Sequence, residues 1–150
     1  MTPGQGPLVG EVNPDEAWQI LSEDSSARLI DVRTRAEWSF VGVPDTGELG
    51  GQPFFIEWAA YPGMSVNGDF AAEVAEAVGP VQPDDTLLFI CRSGVRSLSA
   101  ARAVAAHYAE RGLELNCLNV AEGFEGDLNA RGHRGNQNGW KARGLAWRQS

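Results

Sequence analysis

The segment Thr86–Ser97, T-L-L-F-I-C-R-S-G-V-R-S, holds the residues whose types and spacing best suit chemistry. Cys91 follows directly on Leu87, Leu88, Phe89 and Ile90, an apolar run long enough for a strand buried on both faces and too short for a helix. Past the loop, Leu98 to Tyr108 is strongly helix-forming, with Leu98, Ala101, Val104, Ala105 and Tyr108 on one face. The spacing therefore predicts Cys91 on a strand-to-helix turn. The free N–H groups of such a turn and the positive end of the helix favour an anion, and a thiolate is one. Arg92 and Arg96 add positive charge within the loop, and such surroundings lower a cysteine pKa from roughly 8.5 towards neutrality. An isolated cysteine at a strand end is more often a small core filler. Two arginines and the Ser93-Gly94 pair suit no packed interior, so the reactive reading is preferred.

These residues also carry a resemblance. C-R-S-G-V-R-S resembles the active-site loop of the rhodanese-like sulfurtransferases, as do Leu29-Ile30-Asp31-Val32-Arg33 with Glu37-Trp38, and Asn119-Val120-Ala121-Glu122-Gly123-Phe124-Glu125-Gly126-Asp127. The likeness spans about Asn13 to Asp127. The compact H-I-x-G-A turn of most such domains is missing, and Gly42 to Gln52 forms a longer loop in its place.

The resemblance implies double displacement. The Cys91 thiolate attacks the outer sulfur of a donor such as thiosulfate or a persulfide. It keeps that sulfur as its own persulfide and passes it to a thiophilic acceptor, a thiol or a cyanide-like nucleophile. The N–H groups of Arg92, Ser93, Gly94, Val95, Arg96 and Ser97 are then the expected anion nest, with Arg92 offering its fork of donors to an anionic substrate. Arg96 either shares that task or turns inward to a carboxylate, with Asp31 and Arg33 of a neighbouring strand end as the proposed support. Asp31 itself reads as a loop-ordering hydrogen-bond acceptor. His107, mid-helix, is given no catalytic part, and no cofactor is implied.

Two other readings stand beside this one. A cysteine-dependent phosphatase or arsenate reductase also cradles an oxyanion, but such loops resemble C-x-x-x-x-x-R, whereas only four residues separate Cys91 from Arg96. The shorter loop suits one sulfur atom rather than a phosphoryl group. A module that carries sulfur to a protein partner, such as a protein persulfide, or that only docks on one, would need the same cysteine.

Composition narrows the field. A chain of 150 residues fits a single domain with a real core, here an expected core of about 13–127 and a C-terminal extension of 128–150. No apolar run approaches the roughly 18 residues of a membrane span, and the N-terminus lacks the basic start and apolar core of a secretion signal. A cytoplasmic location is the resulting expectation. A disulfide between Cys91 and Cys117 would consume the proposed nucleophile, so Cys117 is read as packing. Those two cysteines with His107 and His133 give no metal-ligand spacing, and no metal is expected. Net charge of −8 argues against nucleic acid as a partner. The charge is uneven: seven basic against nineteen acidic side chains up to Gly126, then five against one.

The elements that must position the loop follow in order. The Gly- and Pro-rich start leads into an edge strand around Leu8 to Val12. Asn13, Pro14 and Glu16 open a helix with Ala17, Ile20 and Leu21 inward, and Thr34 with Glu37 opens a second, short one through Trp38. Leu29–Val32, Phe54–Trp58 and Leu113–Val120 read as strands. Asn67 or Asp69 caps a helix with Phe70, Val74, Ala77 and Val78 inward, closed by Gly79-Pro80, and Gly112 closes the helix after the loop. Alternating strands and helices imply a three-layer α/β sandwich, a mostly parallel central sheet with helices on both faces. Trp140 and Trp147 are expected to anchor the basic tail on the domain, with a lid over Cys91 as the lesser alternative.

Overall fold

The computed structural model describes residues 9–60 and 62–149. Its elements are β1 (Gly10–Val12), α1 (Pro14–Glu23), β2 (Arg28–Asp31), α2 (Arg35–Phe40), β3 (Val43–Pro44), β4 (Phe54–Phe55), β5 (Ala59–Ala60), β6 (Ser65–Val66), α3 (Phe70–Val78), β7 (Thr86–Ile90), α4 (Val95–Ala109), β8 (Asn116–Val120) and β9 (Trp147–Arg148). A 3-10 turn at Gly47–Leu49 lies between β3 and β4.

The central sheet has five strands in the order β1-β8-β7-β2-β4, every pair parallel. Every residue of β7 is buried, as a strand covered by helices on both faces must be. Its side chains alternate between two cores. Leu87 and Phe89 join Ile30, Val32 and the inner faces of α3 and α4, while Leu88 and Ile90 join Leu29, Val120, Phe124, Trp140 and the Ala17–Leu21 face of α1. Helices thus cover both faces, and the three-layer expectation holds.

Local signals explain the helix starts. Asn13 and Thr34 each accept from the N3 amide while Glu16 and Glu37 reach back to the cap, so both are complete capping boxes. At α3 the N-cap position falls to Asp69, which makes no side-chain cap bond, while Asn67 orders the approach by accepting from the Asp69 amide on its side chain and from Phe70 on its carbonyl.

Several boundaries differ from the sequence reading. Of Phe54–Trp58 only Phe54 and Phe55 ladder with β2; Ile56 and Trp58 donate singly to the Asp31 and Val32 carbonyls as the chain turns into the β5–β6 hairpin. Strand β8 begins at Asn116 rather than Leu113, because the preceding residues complete the turn out of α4. Helix α2 runs on to Phe40. Ala77 is exposed, since Phe70, Val74 and Val78 form the buried row of α3 with Ala71 and Ala75 packed beside it, and Leu98 is only half-buried. The first strand is Gly10–Val12, and Leu8 lies outside the described residues.

The tail is part of the packing. Trp140 is fully buried, edge-on to Trp18 at 5.8 Å, and its indole N–H donates to the Ala146 carbonyl at 2.8 Å. Trp147 anchors differently: it remains 38% exposed, pairs through β9 with β3, and stacks with Lys141, whose Nζ lies 4.3 Å from the ring centre. Among the described residues no helix is long and apolar enough to cross a membrane, and no cluster of His, Cys, Asp and Glu has the makings of a metal site.

Candidate active site

Cys91 lies one residue past the carboxyl end of β7, where parallel sheets of this kind present their ligand sites. The residue is only 1% exposed. Its Sγ accepts from the Gly94 amide at 3.1 Å and lies 3.2 Å from the Ser97 hydroxyl. Gly94 takes a positive φ of 112°, a conformation that L side chains rarely adopt, and it starts α4 with no side-chain cap. The positive end of a 15-residue helix is therefore turned towards the sulfur.

A second turn holds the loop in place. Phe124 donates its amide to the Cys91 carbonyl at 2.8 Å, and Glu125 and Gly126 donate theirs to the Arg92 carbonyl at 3.0 and 3.1 Å. Gly123 makes this approach possible, because a Cβ there would stand 2.5 Å from the Cys91 carbonyl oxygen. The tail braces the turn from behind. Trp140 and Lys141 donate to the carbonyls of Gly123 and Phe124, and Arg143 grips Glu122 with two contacts of 2.9 and 2.6 Å. Glu122 itself sits at φ 71°, a left-handed position that a non-glycine residue holds only when its surroundings fix it. Those contacts to Arg143 and the Gly139 amide pull its carboxyl below the ordinary carboxylate range.

The two loop arginines separate. Arg92 is exposed at the rim. Arg96 turns inward and pairs two-on-two with Glu37, at 2.7 and 2.8 Å. Burial alone would raise the Glu37 pKa, but the Arg96 guanidinium and the Thr34 cap together bring it down to about 2. Of the two roles open to Arg96 the inward one is found, but its support is not Asp31 and Arg33. Those two are fully buried and paired with each other at 2.7 Å, with Arg33 also donating to the Gly42 carbonyl and lying 4.4 Å from the Phe124 ring centre. Both oxygens of Asp31 are engaged by Arg33, and Arg96 meets the Glu37 carboxylate instead. Asp31 does order the loop, accepting from the Arg33 amide at 3.1 Å.

Of the predicted site residues, Cys91, Gly94 and Ser97 converge on the sulfur, Ser93 is half-buried between them, and Val95 stands 76% exposed at the start of α4. Two contributors were not singled out. Glu37 stands in the sequence as a cap and as part of the resemblance, and its added role as the Arg96 partner follows the rule that a loop arginine seeks a nearby carboxylate. Asn119, on β8, accepts from Ser97 at 2.6 Å and donates to the Gly94 carbonyl at 3.1 Å. Its signal was a polar residue on the inward face of a strand, which must find partners. Cys117, two residues earlier, is buried, and burial pushes its thiol up to about 12.

Comparison with known proteins agrees with this architecture. Residues 13–130 match the family model of the rhodanese-like domain. The uncharacterized protein RP600 of Rickettsia prowazekii is 32% identical over 141 residues, 93% of this chain and 98% of that one. The crystal structure of Rv0390 from M. tuberculosis superposes with a TM-score of 0.81 at 42% identity, covering 96% of this chain and all of that one. The polysulfide-sulfur transferase homodimer of Wolinella succinogenes, with a TM-score of 0.55 over 95% of this chain and 80% of that one, is alike in fold at 18% identity. With a family model covering most of its length and a relative above 40% identity across nearly all of it, the chain belongs to the rhodanese-like domain family.

Proposed function

We propose that the protein is a sulfurtransferase that moves a sulfane sulfur from a donor, thiosulfate or a persulfide, to a thiophilic acceptor through a persulfide on Cys91. The observation that carries this reading is the seat of one sulfur atom. Cys91 Sγ lies at the mouth of α4 within 3.1 Å of the Gly94 amide, in a loop of four residues closed by Arg96. Attack by the thiolate forms a bond to the donor's outer sulfur and releases sulfite, or a thiolate where the donor is a persulfide. The negative charge then rests on the outer sulfur, and the Gly94 amide and the start of α4 are the groups beside Cys91 suited to holding it. Arg92, exposed at the rim, is the residue suited to meeting an anionic donor.

Phosphoryl transfer fits less well. It needs donors around three equatorial oxygens, and here the loop arginine that would supply a fork is engaged by Glu37. Function without turnover, as a sulfur carrier, would use the same Cys91. The test is transfer from thiosulfate to cyanide by wild type and by Cys91→Ser, with an aryl phosphate assayed in parallel. Thiocyanate formation lost in Cys91→Ser, with no Cys91-dependent phosphate release, is the expected result. A single stoichiometric transfer without turnover would favour the carrier, and aryl phosphate hydrolysis abolished in Cys91→Ser would overturn the reading.

A further inference from the structure

The sulfur of Cys91 touches one side chain that holds a movable proton, and a second residue decides where that proton points. The Ser97 hydroxyl lies between Cys91 Sγ at 3.2 Å and Asn119 Oδ1 at 2.6 Å, and Ser97 and Asn119 are both buried. A hydroxyl has one proton to give. The Asn119 amide is pinned from its other end, where the Gly94 carbonyl and the Glu11 carboxylate, at 3.1 and 3.2 Å, both accept. Two acceptors require the NH2 group there, so the carbonyl oxygen must face Ser97. That oxygen cannot donate, and it draws the hydroxyl proton to itself. Ser97 is left presenting lone pairs to the sulfur.

We infer that Asn119 is a positioning residue of the sulfur-transfer site: it holds the Ser97 hydroxyl as an acceptor towards Cys91 at rest, so that the hydroxyl turns to donate only when negative charge gathers on Sγ. The inference rests on the reading of Cys91 as the sulfur-accepting residue and adds a state dependence to it. When Cys91 carries its proton, the hydrogen bonds run in one continuous chain from S–H to Ser97 to Asn119. In the persulfide the charge lies on the outer sulfur, Sγ is neutral, and Ser97 keeps its proton on Asn119. When an acceptor nucleophile bonds to the outer sulfur, the S–S bond breaks and its electron pair goes to Sγ. The Ser97 proton then swings to the leaving thiolate without being transferred. Asn119 thus sets the cost of that swing, and it favours the charge-free forms of Cys91.

The charged groups near the sulfur do not supply this effect. On α4, Arg96 is paired with Glu37; at the end of β2, Asp31 is paired with Arg33; Arg92 of the loop is exposed; and Glu11 of β1 reaches the site through the Asn119 amide. Cys117 on β8 is buried and protonated at neutral pH.

The test is the pH profile of Cys91 alkylation by iodoacetamide, located by peptide mapping, in a double-mutant cycle. Asn119→Leu frees the hydroxyl to donate to the thiolate, and the midpoint should move to lower pH by about half to one unit, the span of one neutral hydrogen bond. In a Ser97→Ala background the same Asn119→Leu change should move it by less than a third as much. An equal shift in both backgrounds, or a shift to higher pH with Ser97 present, overturns the inference. A measurement that leaves β8 untouched guards against misfolding of the Leu variant. The infrared S–H stretch of Cys91, isolated by subtracting the Cys91→Ser spectrum, should lie lower in wild type than in Ser97→Ala because the thiol donates to Ser97. Equal frequencies overturn the inference even if sulfur transfer is observed. Conversely, these shifts with no sulfur transfer would defeat the proposed activity while leaving the hydrogen-bond chain standing.

Discussion

At the scale of single residues, both cysteines are only 1% exposed, and what separates them is whether anything offsets that burial. Cys91 has an amide donor and a helix end beside it, whereas burial acts alone on Cys117 and pushes its thiol up to about 12. Alkylation of the folded protein at neutral pH, followed by peptide mapping, should therefore label Cys91 and leave Cys117 untouched. Labelling of Cys117 first would remove the basis for the site. Arg92 gives a second prediction at this scale. Because it is exposed in the loop next to Cys91, Arg92→Ala should raise the KM for thiosulfate about tenfold or more, the worth of a charge-assisted hydrogen bond, while transfer from an uncharged persulfide changes little. Equal losses with both donors would mean that the side chain orders the loop instead.

At the scale of elements, the loop is shaped by what α2 and β8 bring to it. Glu37 serves the Thr34 cap and Arg96 at once, so one carboxylate joins the start of α2 to the start of α4. Its pKa is about 2 in the folded protein against 4.5 ordinarily. A depressed carboxylate contributes stability that is fully present above the unfolded value and is lost as pH falls through the folded one. The pH 4.5 to 2 window should accordingly show a fall in urea midpoint for wild type. Glu37→Gln should be less stable by about 1–3 kcal/mol at pH 7 and lose less on acidification through that window. An unchanged slope in the variant would assign the acid response to other carboxylates. Loop length makes a separate prediction: one glycine inserted after Gly94 displaces the amide from the sulfur and should depress sulfur transfer at least tenfold.

The elements also show why some of this was legible in the sequence and some was not. The strand-loop-helix around Cys91 and both capping boxes are local patterns, set by residues within a few positions of one another, and they form as read. The partner of Arg96 is 59 positions away, and Asn119 meets Ser97 across 22, so both depend on topology that periodicity does not encode. Phe54–Trp58 reads as a strand by its apolar run, yet the chain leaves the sheet after two ladder residues to turn into a hairpin. Composition suggests an extended segment there without fixing its end.

On the scale of the whole molecule, the tail is joined to the active-site loop through a chain of backbone contacts. Trp140 and Lys141 support the turn at Gly123–Gly126, and that turn holds the carbonyls of Cys91 and Arg92. The tryptophans pointed to anchoring, but the sequence did not reveal that Trp140 completes the α1-side core or that Trp147 enters a strand pair. Trp140→Ala should cost about 3–5 kcal/mol of stability, read as a lowered urea midpoint, because it empties a large core position. A cost below 1 kcal/mol would mean that the tail folds independently of the domain. The central claim, that Cys91 receives and surrenders a sulfane sulfur, is tested most directly by intact mass. After incubation with thiosulfate or a persulfide donor, the wild-type chain should gain the mass of one sulfur atom, lose it on adding cyanide, and show no gain in Cys91→Ser. No adduct with any donor, or an adduct that persists in Cys91→Ser, would contradict the account.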